Sequence, residues 1–578
     1  MYIKKITIKN FKSFIEETIE LQTPNGDSGS GLNIFVGENN AGKSNVFEAI
    51  NFLRNGLPSG KGISDLKNKN TKKDDEMFVE IEFSGSVKEL IENFSGKKLD
   101  DYIVDEGENQ TIKTRRSDKN YKITQGKKEV EINIKKIGIW NFKTNQFENP
   151  SGLDADFKKL FEIDFIWADT NPEDIAKFGS TTICGKLLGE IVKSFETTDE
   201  YSNFSTAHQK AFNDPNSGLK KSLIETEKRT QKIFCDQFGS AEISFHFDQI
   251  EVSSFFKNTR IKIDDGIETY LDEKGSGMQR SVALALLQVY AESLIQSAEN
   301  PAIHKPFYLF IDEPEICLHP QAQKKLLVAL KKITEQKQIF ITSHSPYFID
   351  PDLIENVYRF ENKVETGSKQ FSCTDSATIS GLKEKENRVF FFHHRDLFFT
   401  TELFFFEGVS DYERFSVYCE NNDLAKIVQN FFFLAGKNDW KHFGKLCDDL
   451  KINAKFIFDL DVISKNSNTF TDNGLKTKIG NFGKELKQYE EKYTDEAGQE
   501  KTKMKVVKEK DQRCEPLFDE SLSESEKSQK DEILEELKKQ NILVLRYGML
   551  ENYLEENGDI VSDKKTEKEA ELREIFSN

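Results

Sequence analysis

Leu32-Asn-Ile-Phe-Val-Gly37-Glu-Asn-Asn-Ala-Gly42-Lys-Ser44 is a short apolar run that ends in a glycine-rich loop, and residues 45–52 (NVFEAINF) follow with apolar side chains at helical spacing. The stretch reads as strand, loop and helix, with G-x-x-x-x-G-K-S in the loop. Gly37 and Gly42 let the backbone curl so that its N–H groups face an anion, with Asn39, Asn40 and Asn45 along the same turn. Lys43 then reaches the outer phosphate oxygens and Ser44 ligates Mg²⁺, so the loop predicts an ATP site. Further along, 307–311 (FYLFI) forms a hydrophobic strand ending in Asp312-Glu313-Pro314. An acidic pair at the carboxyl end of a parallel strand falls beside the phosphate loop. Asp312 would hold Mg²⁺ and Glu313 would polarise the attacking water. A third apolar strand, 338–342, delivers His344 to the γ-phosphate.

Before the acidic strand, Lys274-Gly-Ser276-Gly277-Met-Gln-Arg280 opens a helical run. This is a second anion-binding helix start in the same unit. One nucleotide cannot easily use both starts of one subunit, so the economical arrangement is two subunits enclosing nucleotide between them.

A second α/β pattern begins near Thr401. Residues 402–406 read as a buried strand, followed by Glu407-Gly408-Val-Ser-Asp411 turning into a helix. About fifty residues later, 454–458 form another buried strand ending in Asp459-Leu-Asp461. Alternation along a strand would put Asp459 and Asp461 on one face, and parallel neighbours would open at one edge. Clustered carboxylates need cations, and oxygen ligands select Mg²⁺, with Mn²⁺ as the alternative. Two such ions ~3.5–4 Å apart would serve phosphodiester hydrolysis.

Composition bounds these readings. The 578 residues carry a formal charge of -18, so nucleic acid cannot be held by bulk charge, only by a local basic surface. The 48 Phe residues supply core. The seven scattered cysteines include no C-x-x-C pair, which excludes a zinc ribbon and suits reduced thiols in a cytoplasm. No apolar run is long enough for a membrane span, and the opening MYIKKITIKNFKSF has no signal-peptide core.

The ordered series Gly37 to Ser44, Ser276 to Arg280, Asp312-Glu313 and His344 resembles the ABC-type ATPase head of structural-maintenance-of-chromosomes proteins, DNA-repair ATPases and OLD (overcoming lysogenization defect) nucleases. The opening Ile6-Thr-Ile-Lys-Asn-Phe11-Lys-Ser-Phe14 and Glu315 to Pro320 are also similar to theirs. The resemblance implies that Lys43, Ser44, Asp312, Glu313 and His344 act in cis and Ser276 and Gly277 in trans. No residue between 140 and 180 matches the family's glutamine loop. Residues 181–240 contain interrupted helices, as in a dimerisation insert and unlike long coiled-coil arms, while 76–150 alternate like antiparallel strands of a β lobe. E-G-x-x-D followed by D-x-D resembles a TOPRIM domain. By the same resemblance Glu551 is a second-metal ligand, beside Glu407, Asp411, Asp459 and Asp461, and a C-terminal lysine, Lys564 or Lys565, stabilises transition-state charge.

The expected architecture is α/β: an ABC-type P-loop ATPase head over 1–370 with a β lobe and a helical dimerisation insert (181–240), a connector (371–397), and a Rossmann-like TOPRIM domain (398–578). A charged segment at 484–540 is expected to be a solvated helical insert or linker, and the aromatic run ending in His393-His394 to be core. The resemblance extends to the nuclease subunit of Gabija and retron-associated OLD nucleases. It implies an ATP- and metal-dependent DNA endonuclease of anti-phage defence, with the ATPase dimer regulating the nuclease. DNA, a homodimer or higher homo-oligomer, and a defence-system protein or noncoding RNA or DNA are the implied partners. The alternatives are a DNA-repair-type ATPase with a non-catalytic TOPRIM scaffold, and a toxic effector restrained by a partner.

Overall fold

The computed structural model describes residues 1–72, 74–95, 99–106, 109–125, 128–150, 154, 157, 162–168, 195–214, 216–240, 242–245, 259–296, 306–434, 440–465, 467–470, 472–494 and 500–577. Two sheets organise them. In the first, the strands Glu162–Ile166, Phe307–Asp312, Gln338–Thr342, Leu32–Gly37 and Val357–Lys363 lie side by side in that order, all parallel. The sheet continues antiparallel through Gly367–Phe371, Phe14–Glu20, Tyr2–Phe11 and Phe78–Gly85 into strands between residues 103 and 148.

The parallel strands are buried on both faces, and alternation decides which residues go where. Leu32, Ile34, Leu309, Ile311, Ile339 and Ile341 point to one core, while Phe35, Phe310 and Phe340 point to the other. Phe310 and Phe340 stack at 4.5 Å, and Phe47 of the helix Lys43–Asn55 packs on Phe310 at 5.1 Å. That packing sets the helix, and hence the loop preceding it, at the carboxyl end of the sheet. Two helices, Asp199–Asn213 and Gly218–Phe238, pack together within the expected insert. Residues 181–194 of that insert and 169–180 of the glutamine-loop interval lie outside the described residues.

The second sheet holds four parallel strands, Phe431–Phe433, Glu402–Phe406, Asn453–Phe458 and Ile542–Val544, in that order. Leu403, Phe405, Phe456 and Phe458 share one continuous core with Leu32 and Ile34 of the first sheet. The segment expected as a connector forms helices Ser376–Lys383 and Lys385–His393, whose Ile379, Leu382 and Phe391 are buried in that shared core. It acts as a wedge between the sheets. His394 is buried and packs edge-on against Phe432 and Phe433, which accounts for it as core. The charged segment differs from expectation. It opens with an antiparallel ribbon, Gln488–Thr494 with Glu500–Val506, and only later becomes the helix Glu524–Lys538. Among the described residues no helix is long and apolar enough to cross a membrane.

Arg359 ties the two sheets. It sits opposite Val36 in register, one residue before Gly37, and is only 2% exposed. Its guanidinium donates to the carbonyls of Leu450 at 3.0 Å and Thr400 at 3.3 Å in the second unit. Arg359→Ala leaves both carbonyls unsatisfied and opens a cavity between the sheets. The expected loss is about 2–4 kcal/mol, read by denaturant unfolding, with separate calorimetric transitions for the two units.

Candidate functional sites at the two strand edges

The nucleotide-loop geometry requires its glycines. Gly37 has φ +135°, and a Cβ there would lie 2.3 Å from the Phe360 carbonyl oxygen. At Gly42, φ is +106° and a Cβ would meet the Ser368 hydroxyl at 2.3 Å. No other residue fits either position without displacing backbone or a buried hydroxyl. Lys43 folds back over the loop, donating to the carbonyls of Gly37 at 3.0 Å and Glu38 at 2.9 Å. Burial lowers its pKa to about 8, against the opposing pull of Glu313, Asp312 and Glu315.

Asp312, at the end of its strand, joins the neighbouring strand to the helix that follows the nucleotide loop. One carboxylate oxygen accepts from the Ser44 hydroxyl at 2.8 Å and from the Thr342 hydroxyl at 2.6 Å. A hydroxyl and a carboxylate at this separation are the two hard oxygens that a magnesium ion can share. Glu313 adopts φ +49°, and its N–H donates to both the carbonyl and hydroxyl of Thr342. Its side chain stands 3.8 Å from Nε2 of His344. Burial, and then Lys43, lower the His344 pKa, keeping the ring neutral near pH 7. Glu315 positions this histidine by accepting from its backbone N–H at 2.5 Å and from the Ser343 hydroxyl at 3.0 Å.

Asn39, Asn40, Gly42, Lys43, Ser44, Asn45, Glu313 and His344 together line a polar cleft of about 240 Å³. Ser276 and Gly277 are not in that lining. They begin the helix Ser276–Gln296, where a Cβ on Gly277 would sit 2.9 Å from the Cys317 carbonyl oxygen. Arg280, one turn on, is buried and donates to the Glu313 carbonyl at 3.2 Å. The sequence quoted Arg280 only as part of a loop, because nothing local marks a contact across 33 residues.

In the second unit, Glu407 follows the strand Glu402–Phe406 and Asp459 follows its parallel neighbour Asn453–Phe458, so both leave the sheet at one edge. Asp459 is 4% exposed and accepts from the Leu550 N–H at 2.8 Å, while Leu460 N–H donates to the Gly548 carbonyl at 3.0 Å. This latch brings the following residue, Glu551, to the same edge, in the first turn of the short helix Leu550–Tyr553. Asp411 is buried in the first turn of the helix Val409–Asn421 and accepts from the Gly408 N–H at 3.2 Å. That helix start adds positive potential where the carboxylates gather.

One expectation is corrected. The strand ends at Phe458, and Asp459 caps a 3-10 turn, Leu460–Ile463, that contains Asp461. Strand alternation therefore does not place Asp461, although both aspartates are buried. Among the described residues no three His, Cys, Asp or Glu side chains form a closed metal cage. Parallel pairing and the Asp459–Leu550 bond bring Glu407, Asp459 and Glu551 to one edge through the backbone. The donor set, all carboxylate and partly buried, suits a hard divalent cation, because burying each such charge uncompensated costs several kcal/mol.

The C-terminal helix Lys565–Ser577 braces this edge. Glu571 accepts from the Arg546 N–H at 3.1 Å and from the Tyr553 hydroxyl. Lys564 pairs with Glu520, and Lys565 is exposed. Lys568, unassigned by the sequence reading, is 2% exposed with its ammonium 6.0 Å from the centre of the Tyr553 ring. Its one-turn spacing from Lys564 was the available signal.

Comparison with known proteins adds kinship. The family model described as AAA ATPase domain matches residues 1–349. The chain is 26% identical to the Old nuclease of Escherichia phage P2 over 357 residues, covering 59% of this chain and 56% of that protein. It is 23% identical to endonuclease GajA of Bacillus cereus over 516 residues, covering 84% and 77%. It is also 23% identical to the Septu protein PtuA of Bacillus thuringiensis over 252 residues, covering 41% and 61%. The chain thus spans little more than half the length of the phage relative. A solved Smc head bound to the C-winged helix domain of ScpA aligns with TM-score 0.37 and 16% identity, over 64% of this chain and 98% of that one.

The lowered pKa of Lys43 makes a pH test. Above about 8 the free protein carries this lysine neutral, so a triphosphate must draw a proton onto it. Mg-ATP affinity should fall by up to ~10-fold per pH unit above that point, measured by titration with a fluorescent ATP analogue between pH 7 and 9.5. A flat profile would contradict a phosphate-binding role for the charged lysine.

Proposed function

On the premise that the chain belongs to the AAA ATPase domain family through residues 1–349, we propose that it is an ATP-binding and ATP-hydrolysing DNA endonuclease of the OLD type. Its ATPase head covers 1–370 and its TOPRIM-like nuclease unit 398–578, joined by the wedge at 371–397. The observation that carries this reading is the bond from the Leu550 N–H to Asp459, which brings Glu551 to the edge where the parallel strands before Glu407 and Asp459 end, in a chain that also bears the Lys43 cleft.

At the head, Ser44 and Asp312 would hold Mg²⁺, and Lys43 and the loop N–H groups would bind phosphate. Glu313 orients the attacking water, and His344 contacts the terminal phosphate. Arg280 holds the Glu313 backbone from the helix that begins with Ser276 and Gly277. Those two residues stand outside the cleft of their own chain, which supports their use by a second copy and hence a homodimer or higher homo-oligomer.

At the second edge, Glu407, Asp411, Asp459, Asp461 and Glu551 would hold Mg²⁺ or Mn²⁺. Bound there, these ions supply a water activated at neutral pH and a charge to stabilise the departing oxygen. The protein's part is to present Glu407 and Asp459 at strand ends and Asp411, Asp461 and Glu551 on the turns and helix starts nearby, with Leu550 orienting Asp459 and Gly408 orienting Asp411. The relatives named Old nuclease and endonuclease GajA support phosphodiester cleavage, and a cytoplasmic role in anti-phage defence is what the resemblance to OLD nucleases implies.

Supercoiled plasmid incubated with the protein, Mg²⁺ or Mn²⁺, and with or without ATP tests the reading. Glu407→Ala should lower cleavage by at least ~100-fold, since even residues that only orient metal ligands cost 10–100-fold, while ATP hydrolysis persists. Lys43→Ala should remove any response of cleavage to ATP. Undiminished cleavage by both Glu407→Ala and Asp459→Ala would rule out this site.

A further inference from the structure

The antiparallel ribbon in the second unit has two unlike faces. Its strands pair Tyr489 with Lys505, Glu491 with Lys503 and Tyr493 with Lys501. Because side chains alternate, these six residues share one face: three lysines, two tyrosines and one glutamate. The opposite face carries Gln488, Glu490 and Lys492 against Val506, Met504 and Thr502, with Glu500 on the same side. Charge therefore separates across the ribbon, with a net +2 on the first face and a net -1 on the second. Every residue of Glu500–Val506 is exposed, and Tyr493 is 44% exposed. In a chain of net charge -18, this is a locally basic, aromatic surface.

The root of the ribbon lies near the acidic edge. Lys465 N–H donates to the Lys484 carbonyl at 2.7 Å, and Val507 N–H to the Lys487 carbonyl at 2.9 Å. Lys465 is four residues past Asp461, so it lies within about 14 Å of that aspartate, and the segment entering the ribbon is hydrogen-bonded to it at Lys484. The root lysines are neutralised locally, Lys487 by Glu515 and Lys484 by Glu526. On the ribbon face, Glu491 pairs with Lys505.

We propose that the Lys501–Lys503–Lys505 face of this ribbon is a DNA-binding arm that grips the phosphate backbone of duplex DNA beside the acidic edge. This rests on the nuclease reading above. The occupant follows from charge and length. Seven residues of strand span about 20 Å, and along that length a duplex presents one negative charge per ~1.7 Å. Successive lysines stand about 6.7 Å apart on one side of a strand, a spacing that meets several phosphates without reading a base. Tyr489 and Tyr493 add hydroxyl and ring contacts to sugar and phosphate. An arm of this kind supplies a local positive surface in an acidic chain, and it holds substrate without sequence preference.

The test is binding of a fluorescent 30-base-pair duplex by the full-length protein in EDTA, which separates binding from cleavage, at several salt concentrations. Replacing Lys501, Lys503 and Lys505 together with Gln should weaken binding at least tenfold near 0.1 M salt. The slope of log affinity against log salt should fall by about 2–3. Replacement of all three by Arg should restore binding, Lys492→Gln on the other face should leave it unchanged, and retained ATP hydrolysis in each variant reports an intact fold. Wild-type affinity and slope in the triple Gln variant would overturn the proposal, as would preference for single-stranded RNA over the duplex. Wild-type protein that binds the duplex through these lysines but does not cut it with Mg²⁺ or Mn²⁺ would defeat the nuclease reading and leave the arm standing. Cleavage that proceeds with binding indifferent to the lysines would defeat the arm alone.

Discussion

A single buried guanidinium makes one body of the two sheets. Arg359 stands one residue before the register position of Gly37 and reaches two backbone carbonyls of the second unit, at Leu450 and Thr400. Burying that charge is costly, and the cost is offset only if both carbonyls stay in place. Around it the aliphatic face of the first sheet and the inner face of the second share a core, with the 371–397 helices wedged between. The strand beside the nucleotide loop is thus joined directly to the second sheet.

Parallel pairing then determines where chemistry can occur. Parallel strands end at a common edge, and each sheet here uses that edge once. At the first, a hydroxyl, a carboxylate and a buried lysine converge on a polar cleft. At the second, carboxylates predominate and a helix start supplies the positive field. The two edges attract opposite partners. A lysine and backbone N–H groups draw an anion, while clustered acids draw cations, and the lysines and tyrosines of the ribbon stand ready for the polyanion those cations would act on.

Much of this was legible because it is local. The loop between Gly37 and Ser44, the strand ending in Asp312-Glu313 and the buried strands of the second unit each announce themselves within ten residues. What escaped the sequence depends on distant contacts or on competing local preferences. Arg359 and Arg280 find carbonyls far away in the chain, and no pattern marks them. Asp459-Leu-Asp461 looks like a strand end, yet the chain turns into a 3-10 helix after Asp459, whose carboxylate is taken by the distant Leu550 N–H. The Lys- and Glu-rich stretch after 484 favours helix by composition. Its alternating Tyr, Thr, Met and Val, together with the left-handed Gly483 that terminates the preceding helix, give a ribbon instead.

The central claim is that one rigid chain carries two separately built cation sites at two strand edges. Counting Mn²⁺ bound per chain by electron paramagnetic resonance, with and without a non-hydrolysable ATP analogue, tests it most directly. Asp312→Asn should abolish the Mn²⁺ that appears with nucleotide and spare the rest, and Asp459→Asn should do the reverse. A Mn²⁺ count unchanged by Asp459→Asn, or both classes of Mn²⁺ lost through either substitution alone, would contradict the account.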